Sequence, residues 1–451
     1  MKRFIMLLVL AMPLVVLAQE HTGEILLKYK PGREPLARVR VAEQTRFGVH
    51  VIRPPLARAV GYDVYAVLDS LRRDTTNVEY AELNYIVHII DAPNDPQYSS
   101  QYAHQKIRSE AAWTKTTGSD SVLVAVIDTG VNWSHEDLAA NIFSNPHEQA
   151  DGVDNDGNGY VDDIRGWDFV NSDNNPNDDN AHGTHCAGII GAAGNNNKGI
   201  AGVNWKVKIL PCKFLDAEGS GSTLDAAEAI RYAADLGVEV MSNSWGGGPS
   251  TRTLQDAIIY AKDKGILFVA AAGNESNDND QSPSYPANYN VENVISVAAT
   301  DQNDALASFS NYGLTVHLAA PGVSILSTTP NNTYQRFSGT SMATPYVAGA
   351  AALVKAQGNI SLADLKQRIL GGVDKVSSLT GKVKTGRLNL EKCLDPSSAE
   401  PPPDTTPPSN PPTNPPAGKC GGQSASWIGY TVFALIASRR FFQARSGRCK
   451  E

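Results

Sequence analysis

The chain has 451 residues, enough for about three domains at roughly 150 residues each, so a single small module is excluded. Lys+Arg 39 against Asp+Glu 47 leaves a net charge of -8, which excludes the basic field that holds nucleic acid or an anionic lipid surface. The 41% hydrophobic and 19% charged fractions fit a chain with a large core, and five cysteines are too few for a disulfide scaffold.

At the N-terminus, Lys2 and Arg3 precede an apolar run from Phe4 to Leu17 that closes on Ala18. This is the charged, apolar, small-residue layout of a secretory signal, predicted over residues 1–18, and at about 14 residues the run is short for a span of roughly 20. The protein is therefore expected to be exported. Next, Glu24 to Lys30 reads as a strand ended by Pro31-Gly32, Leu36 to Phe47 as a helix, and Val78 to Ile90 as another strand. Together they predict a small α+β unit within residues 19–92. From Asp91 the text turns to Pro, Asn, Asp, Gln and Ser, an exposed connection that a protease can cut.

Residues 93–395 form the large domain. Apolar runs at Val122 to Ile127, Val207 to Leu210, Val238 to Met241, Ile266 to Ala271 and Val294 to Val297 alternate with helical stretches such as Thr223 to Leu236 and Leu254 to Lys264. Strands alternating with helices predict an α/β fold, a mostly parallel central sheet with helices on both faces. Functional residues of such sheets lie at the carboxyl ends of the strands. Ten of the 26 prolines then fall between Pro396 and Pro416, marking an extended linker over 396–419. Residues 420–451 hold Gly421-Gly422, an apolar run from Trp427 to Ala437, and Arg439-Arg440.

Four motifs in the large domain carry chemistry. Val122 to Ile127 delivers Asp128-Thr129-Gly130 at a strand end. His182-Gly183-Thr184-His185-Cys186 opens a small-residue helix. Val269 to Gly273 ends in Asn274, and Gly339-Thr340-Ser341 begins an Ala/Gly-rich helix. A serine hydroxyl becomes nucleophilic when an imidazole takes its proton and a carboxylate fixes that imidazole's tautomer. Asp128, His182 and Ser341 can fill those roles, with the Asn274 amide and the Ser341 N–H as oxyanion donors. Taken singly, Asp-Thr-Gly also fits an aspartic protease, His-x-x-His a metal pair, and Gly-Thr-Ser an ordinary turn. Their order along one chain is what makes them specific.

In these motifs the chain resembles the subtilisin-like serine proteases, most of all their thermitase-like branch. The resemblance runs from Pro93 to about Leu390 and includes Pro93 to Pro96, Thr300 to Asp304 and Ala320-Pro321-Gly322. It implies serine endopeptidase activity on protein substrates. It also implies a cleft in which substrate lies as an added β-strand between Gly219-Ser220-Gly221 and Ser244-Trp245-Gly246. Ala271, Ala272 and Gly273 would line a pocket with broad taste for apolar or aromatic P1 side chains. Tyr346 stands where this family usually has His, which reads as a packing change.

The resemblance further implies that residues 19–92 are an inhibitory propeptide, removed autocatalytically between His88 and Asp95. A rival reading is a calcium-dependent binding protein on a protease fold. Another is the acid serine carboxyl peptidases, which use Glu in place of His. The complete set of Asp128, His182, Asn274 and Ser341 argues against both. The tail 420–451 resembles the GlyGly-type sorting signals of Gram-negative exported proteins, which implies a sorting protease as partner and a transient membrane anchor. The enzyme would end up secreted or at the cell surface.

Calcium is the expected cofactor, in one or two sites. Asp154, Asp156, Asn158, the Tyr160 carbonyl and Asp162 match positions 1, 3, 5, 7 and 9 of a calcium loop, with Gly159 at its turn. Position 12 is Arg165, so the loop is no EF-hand, and Asp163 is taken as the closing ligand. The thermitase resemblance implies a second site from the side chains of Asp95, Asp137 and Asn196 and the carbonyls of Ala193, Lys198 and Ile200. Cys186 reads as a small buried apolar residue under the active site, so bulky thiol reagents are expected to inhibit by crowding. Whether it meets Cys212 is open at this level.

Overall fold

The computed structural model describes residues 21–33, 43–53, 63–85 and 92–398. The predicted signal, nearly all of the proline-rich linker and the segment 420–451 lie outside the described residues. Among the described residues no helix is long and apolar enough to cross a membrane.

The N-terminal unit comprises β1 (His21–Tyr29), β2 (Glu43–Gln44), β3 (Val49–Ile52), α1 (Val64–Arg72) and β4 (Val78–Tyr85). Its antiparallel sheet has the order β2-β3-β1-β4. Ile25, Leu27 and Tyr29 of β1 point inward with Ala81 and Leu83 of β4, and Leu68 and Leu71 of α1 pack among them. The α+β character holds, but the helix expected at Leu36 to Phe47 needs correction. Glu43 and Gln44 pair with Val51 and His50, and Gly48, at φ +79°, closes a turn by donating to the Thr45 carbonyl at 3.0 Å. Residues 34–42 lie outside the described residues. The helix stands instead at Val64–Arg72, where the Asp63 carboxylate caps the Tyr65 and Ala66 amides at 2.9 and 3.2 Å.

The large domain runs through α2 (Tyr102–Lys106), α3 (Ser109–Trp113), β5 (Gly118–Asp128), β6 (Trp167–Asp168), α4 (His182–Gly191), β7 (Lys206–Lys213), α5 (Thr223–Asp235) and β8 (Val240–Asn243). It continues with α6 (Arg252–Asp263), β9 (Leu267–Ala271), β10 (Val294–Thr300), β11 (Leu318–Pro321), the hairpin β12 (Ile325–Thr329) and β13 (Thr333–Phe337), and α7 (Thr340–Lys355). α8 (Leu362–Gly371), β14 (Val373–Asp374), β15 (Arg387–Leu388) and α9 (Leu390–Cys393) complete it. The nine-stranded sheet has the order β14-β15-β11-β10-β9-β8-β5-β7-β6 and is parallel except between β14 and β15.

Its strands are apolar on both sides, as a sheet covered on both faces requires. Val122, Val124 and Val126 of β5 join one core with α4 and α7, whereas Ala125 and Ile127 join a second core with α5 and α6. This alternation separates the cysteines: Cys186 lies in the first core and Cys212 in the second, and both are free thiols. Helix α7 is buried over nearly its whole length, and its Ala and Gly residues let it lie across the sheet. Tyr346 is buried within it, edge-on to His104 at 6.0 Å, in keeping with the packing role expected of it.

The chain leaves β5 toward β7 on one side and returns to β8 on the other. The carboxyl ends beside this reversal open a crevice where α/β sheets place ligands. Register keeps those ends level, with Asp128 opposite Lys213 and Asn243 opposite Ala270.

Candidate active site

Asp128 ends β5, fully buried. Its Oδ1 accepts the Thr129 amide at 2.8 Å and lies 2.7 Å from His182 Nδ1. His182 is the first residue of α4, and its side chain is 26% exposed. Gly183 makes this approach possible, since a Cβ there would run into the Gly130 carbonyl and stand 3.1 Å from Asp128 Cβ. Burial works against the charged imidazole, but the Asp128 carboxylate outweighs it, with a smaller contribution from Asp178, and the His182 pKa is raised.

Ser341 lies in the first turn of α7. Its hydroxyl donates to the Ser244 carbonyl at 3.0 Å, while the Ser244 hydroxyl donates to the Ser341 carbonyl at 2.9 Å. The Ser341 carbonyl is free for this because Pro345, four residues on, has no N–H to offer it. The Cys186 thiol also reaches it, at 3.5 Å. Cys186, Asp128 and His182 offer atoms within 4.8 Å of one another, and burial pushes the thiol well above its ordinary pKa. Asn274 follows β9, and its Oδ1 accepts both the amide (2.8 Å) and the hydroxyl (2.9 Å) of Thr340. The amide oxygen being tied, Nδ2 is left to donate. A Cβ on Gly339 would stand 3.7 Å from that nitrogen and 3.6 Å from the Ser341 amide, so two donors converge on one open space.

The segments predicted to flank substrate follow β7 and β8, the two neighbours of β5 in the sheet. Asp216 folds the first into a tight loop, accepting the Glu218 and Ser220 amides at 3.0 and 2.8 Å, with Gly219, Ser220 and Gly221 exposed. In the second, Trp245 is half-buried and packs edge-on against Phe214 at 4.8 Å, so its ring serves the core while Gly246 remains exposed. Ala271 is buried at the end of β9, and the Gly273 amide donates to the Thr340 hydroxyl at 3.3 Å. Ala272 differs from the expected pocket wall: its methyl lies in a small core with Ala298, Val316 and Ala319, and its carbonyl accepts from Asn279 and Asn311.

The acidic loop brings together carboxylates that only partly coincide with those read in sequence. Carboxylate oxygens of Glu148, Asp154 and Asp156 come within 4.8 Å of one another. Three carboxylates so close repel unless a cation lies among them, and hard oxygens suit calcium. Glu148, six residues before Asp154, was not predicted. It also accepts the amides of Asn155, Asp156 and Asp162. Asp162 turns to the Asp151 and Gly152 amides, and Asp163 turns inward to Asn145, Asn158 and Tyr232. Neither therefore joins the cluster. Asn158 spends its Oδ1 on the Tyr160 amide, and the Tyr160 ring packs on Trp167 and Tyr232.

Of the second predicted set, the side chains of Asp95, Asp137 and Asn196 meet at the loop after α4. Asp95 accepts the Asn195 and Asn196 amides, and Asp137 accepts Asn196 Nδ2 at 2.9 Å and the Ile200 amide at 2.9 Å. The Ala193 amide donates to the Asp137 carbonyl, and the Lys198 amide to Asn196 Oδ1. Asp95 and Asp137 are both buried, and burial with the Asp137 charge raises the Asp95 pKa. Two buried carboxylates facing one amide likewise fit a divalent cation.

Residues 119–382 match the subtilase family. Over 329 residues the chain is 44% identical to the thermophilic serine proteinase of Bacillus sp. (strain AK1), covering 72% of this chain and 75% of that protein. Over 303 residues it is 45% identical to thermitase of Thermoactinomyces vulgaris, covering 67% and 99%. Among solved structures, a protease from Pseudoalteromonas arctica PAMC 21717 matches with a TM-score of 0.58 at 28% identity, over 68% of this chain and 100% of that one. With its mostly parallel sheet and its order of motifs, the chain belongs to the subtilase family and is a serine endopeptidase.

Proposed function

We propose that the chain is an exported, calcium-stabilised zymogen that hydrolyses peptide bonds through Asp128, His182 and Ser341. The observation that carries this reading is the 2.7 Å contact between Asp128 Oδ1 and His182 Nδ1, with two free donors beside the Ser341 hydroxyl. Ser341 Oγ leaves the Ser244 carbonyl, gives its proton to His182 Nε2 and attacks the scissile carbonyl. Asp128 holds the imidazolium, and Asn274 Nδ2 and the Ser341 N–H bind the oxyanion. His182 then protonates the leaving amine, and water, activated by the same imidazole, releases the acyl group from Ser341.

Substrate adds as a strand between Gly219-Ser220-Gly221 and Ser244-Trp245-Gly246, and the small residues Ala271 and Gly273 suit apolar or aromatic P1 side chains. Calcium would be held by Glu148, Asp154 and Asp156, with a second ion at Asp95, Asp137 and Asn196. It would neutralise these carboxylates and cross-link their loops, taking no part in the reaction. Residues 1–18 direct export, 19–92 fold with and inhibit the enzyme until self-cleavage, and 420–451 address it to the surface or to release by a sorting protease.

A fluorophosphonate probe tests the centre. Ser341 labels in the mature protein, and Ser341→Ala neither labels nor processes residues 19–92. A processed Ser341→Ala product of normal size in a protease-free host would contradict self-cleavage. Chelation lowers the melting temperature of the mature enzyme, and an unchanged value would reject the calcium sites.

A further inference from the structure

Asp178, in the loop before α4, is 4% exposed and is bound by no fewer than five donors. Oδ1 accepts the Thr129 hydroxyl at 2.8 Å and the Asn180 and Ala181 amides at 3.0 Å each. Oδ2 accepts the Thr184 amide at 2.8 Å and the Thr184 hydroxyl at 2.5 Å. The donors come from two sides. Thr129 follows Asp128 directly, and the others surround His182. Thr129 also accepts the Gly183 amide at 2.9 Å, closing the link between strand end and helix start.

A buried carboxylate costs several kcal/mol unless it is hydrogen-bonded or paired. The buried Lys213 ammonium goes elsewhere, to Asp179 Oδ1 at 2.8 Å and to the Thr129 and Leu215 carbonyls at 3.0 and 2.7 Å. Thr129 is thus gripped twice, by its hydroxyl and by its carbonyl. Capping alone needs no charge, since Ser and Asn cap as well as Asp. A carboxylate that also favours the cationic form of the His182 ring does more than cap.

We propose that Asp178 is a positioning residue of the catalytic pair, fastening the strand end that carries Asp128 to the helix start that carries His182 and adding a second fixed negative charge beside the imidazolium. This rests on the triad reading above. The charged and titratable groups around His182 are Asp128 from β5, Asp178 from the loop, and His185 and Cys186 from α4. The Lys213 ammonium on the Thr129 carbonyl is paired with Asp179 at 2.8 Å.

The test uses the mature enzyme and a chromogenic peptide anilide. Asp178→Asn lowers kcat roughly tenfold to a hundredfold, with KM changed by less than about threefold. It also moves the acid limb of kcat/KM down by about half a pH unit, because the charge favouring the imidazolium is gone. Thr129→Val keeps the charge but cuts the link, so kcat falls while the limb stays, and Thr129→Ser restores kcat. A folded Asp178→Asn enzyme with an unmoved limb overturns the proposal. If that variant does not fold, equal kcat in Thr129→Val and the parent overturns it instead. Activity retained in Ser341→Ala would sink the triad reading itself, a separate failure.

Discussion

Helix α4 starts on a filled anion position, whereas helix α7 starts on an open one. At α4 the Asn180, Ala181 and Thr184 amides point to the Asp178 carboxylate and the Gly183 amide to Thr129. At α7 Asn274 takes the Thr340 amide, Gly339 begins the helix without a side-chain cap, and the Ser341 amide faces open space. Both ends carry the same partial positive charge of a helix N-terminus. One is spent on the Asp178 side chain, proposed above to hold the imidazole in place. On the proposed mechanism the other is kept for a negative charge that exists only while a peptide bond is being cut.

The comparison breaks most sharply at Gly339. Gly339→Ala puts a methyl into the open position and is expected to lower kcat about 10²- to 10³-fold, the magnitude known in subtilisin for losing an oxyanion donor. Its φ of 165° is ordinary extended backbone, so the melting temperature should hold. A kcat near that of the parent would mean that the oxyanion lies elsewhere.

The closed end is tested through pH. His185, one turn into α4, stacks on Phe337 at 4.4 Å and reaches the Ile325 and Gln335 carbonyls at 3.0 and 3.1 Å. Burial pushes its pKa from 6.5 down to about 4. The unfolded chain therefore binds this proton first, and stability present above about pH 6.5 is lost as pH falls toward 4, by up to about 3 kcal/mol. Urea unfolding from pH 7 to 4 should show that slope, reduced in His185→Gln. Equal slopes would detach His185 from acid unfolding.

Smaller effects separate the two ends further. Thr340→Val frees Asn274 Oδ1 from one of its two hydrogen bonds, expected to cost about 1 kcal/mol of transition-state stabilisation, roughly fivefold in kcat. Steady-state kinetics on the same anilide checks it, and an unchanged kcat would show that the amide bond to Thr340 suffices. Ala181 precedes His182 at φ +95°, a region unfavourable for any residue with a Cβ. Ala181→Gly should raise stability by up to about 1 kcal/mol with activity kept, and a lower melting temperature would show that Ala181 is unstrained.

Much of this was legible in the chain because it depends on local pattern. The buried strands of the large sheet announce themselves as unbroken apolar runs, and Asp128, His182, Asn274 and Ser341 each sit at the end of a strand or start of a helix with a distinctive neighbourhood. The predicted helix does not hold over Glu43 to Phe47, because Gly48 and the pairing of Glu43-Gln44 with β3 outweigh a charge pattern. Glu148 escaped notice because it lies before the aspartate-glycine run, and spacing along the chain does not say that Asp162 and Asp163 turn to other donors than the Glu148, Asp154 and Asp156 group. The strongest overlooked signal was Asp178: an aspartate four residues before the histidine reads as one more member of an Asn/Asp loop.

The order of apolar runs and short polar motifs by itself determined the α/β class and the serine endopeptidase family, because strand burial and helix starts leave marks within a few residues. Which carboxylates cluster, which face of the sheet holds each cysteine, and which helix start is filled and which is open were decided only in three dimensions. Those depend on partners that are distant along the chain, such as Thr129 for Asp178 and Asn274 for Thr340, and whose meeting is set by the packing of the whole domain.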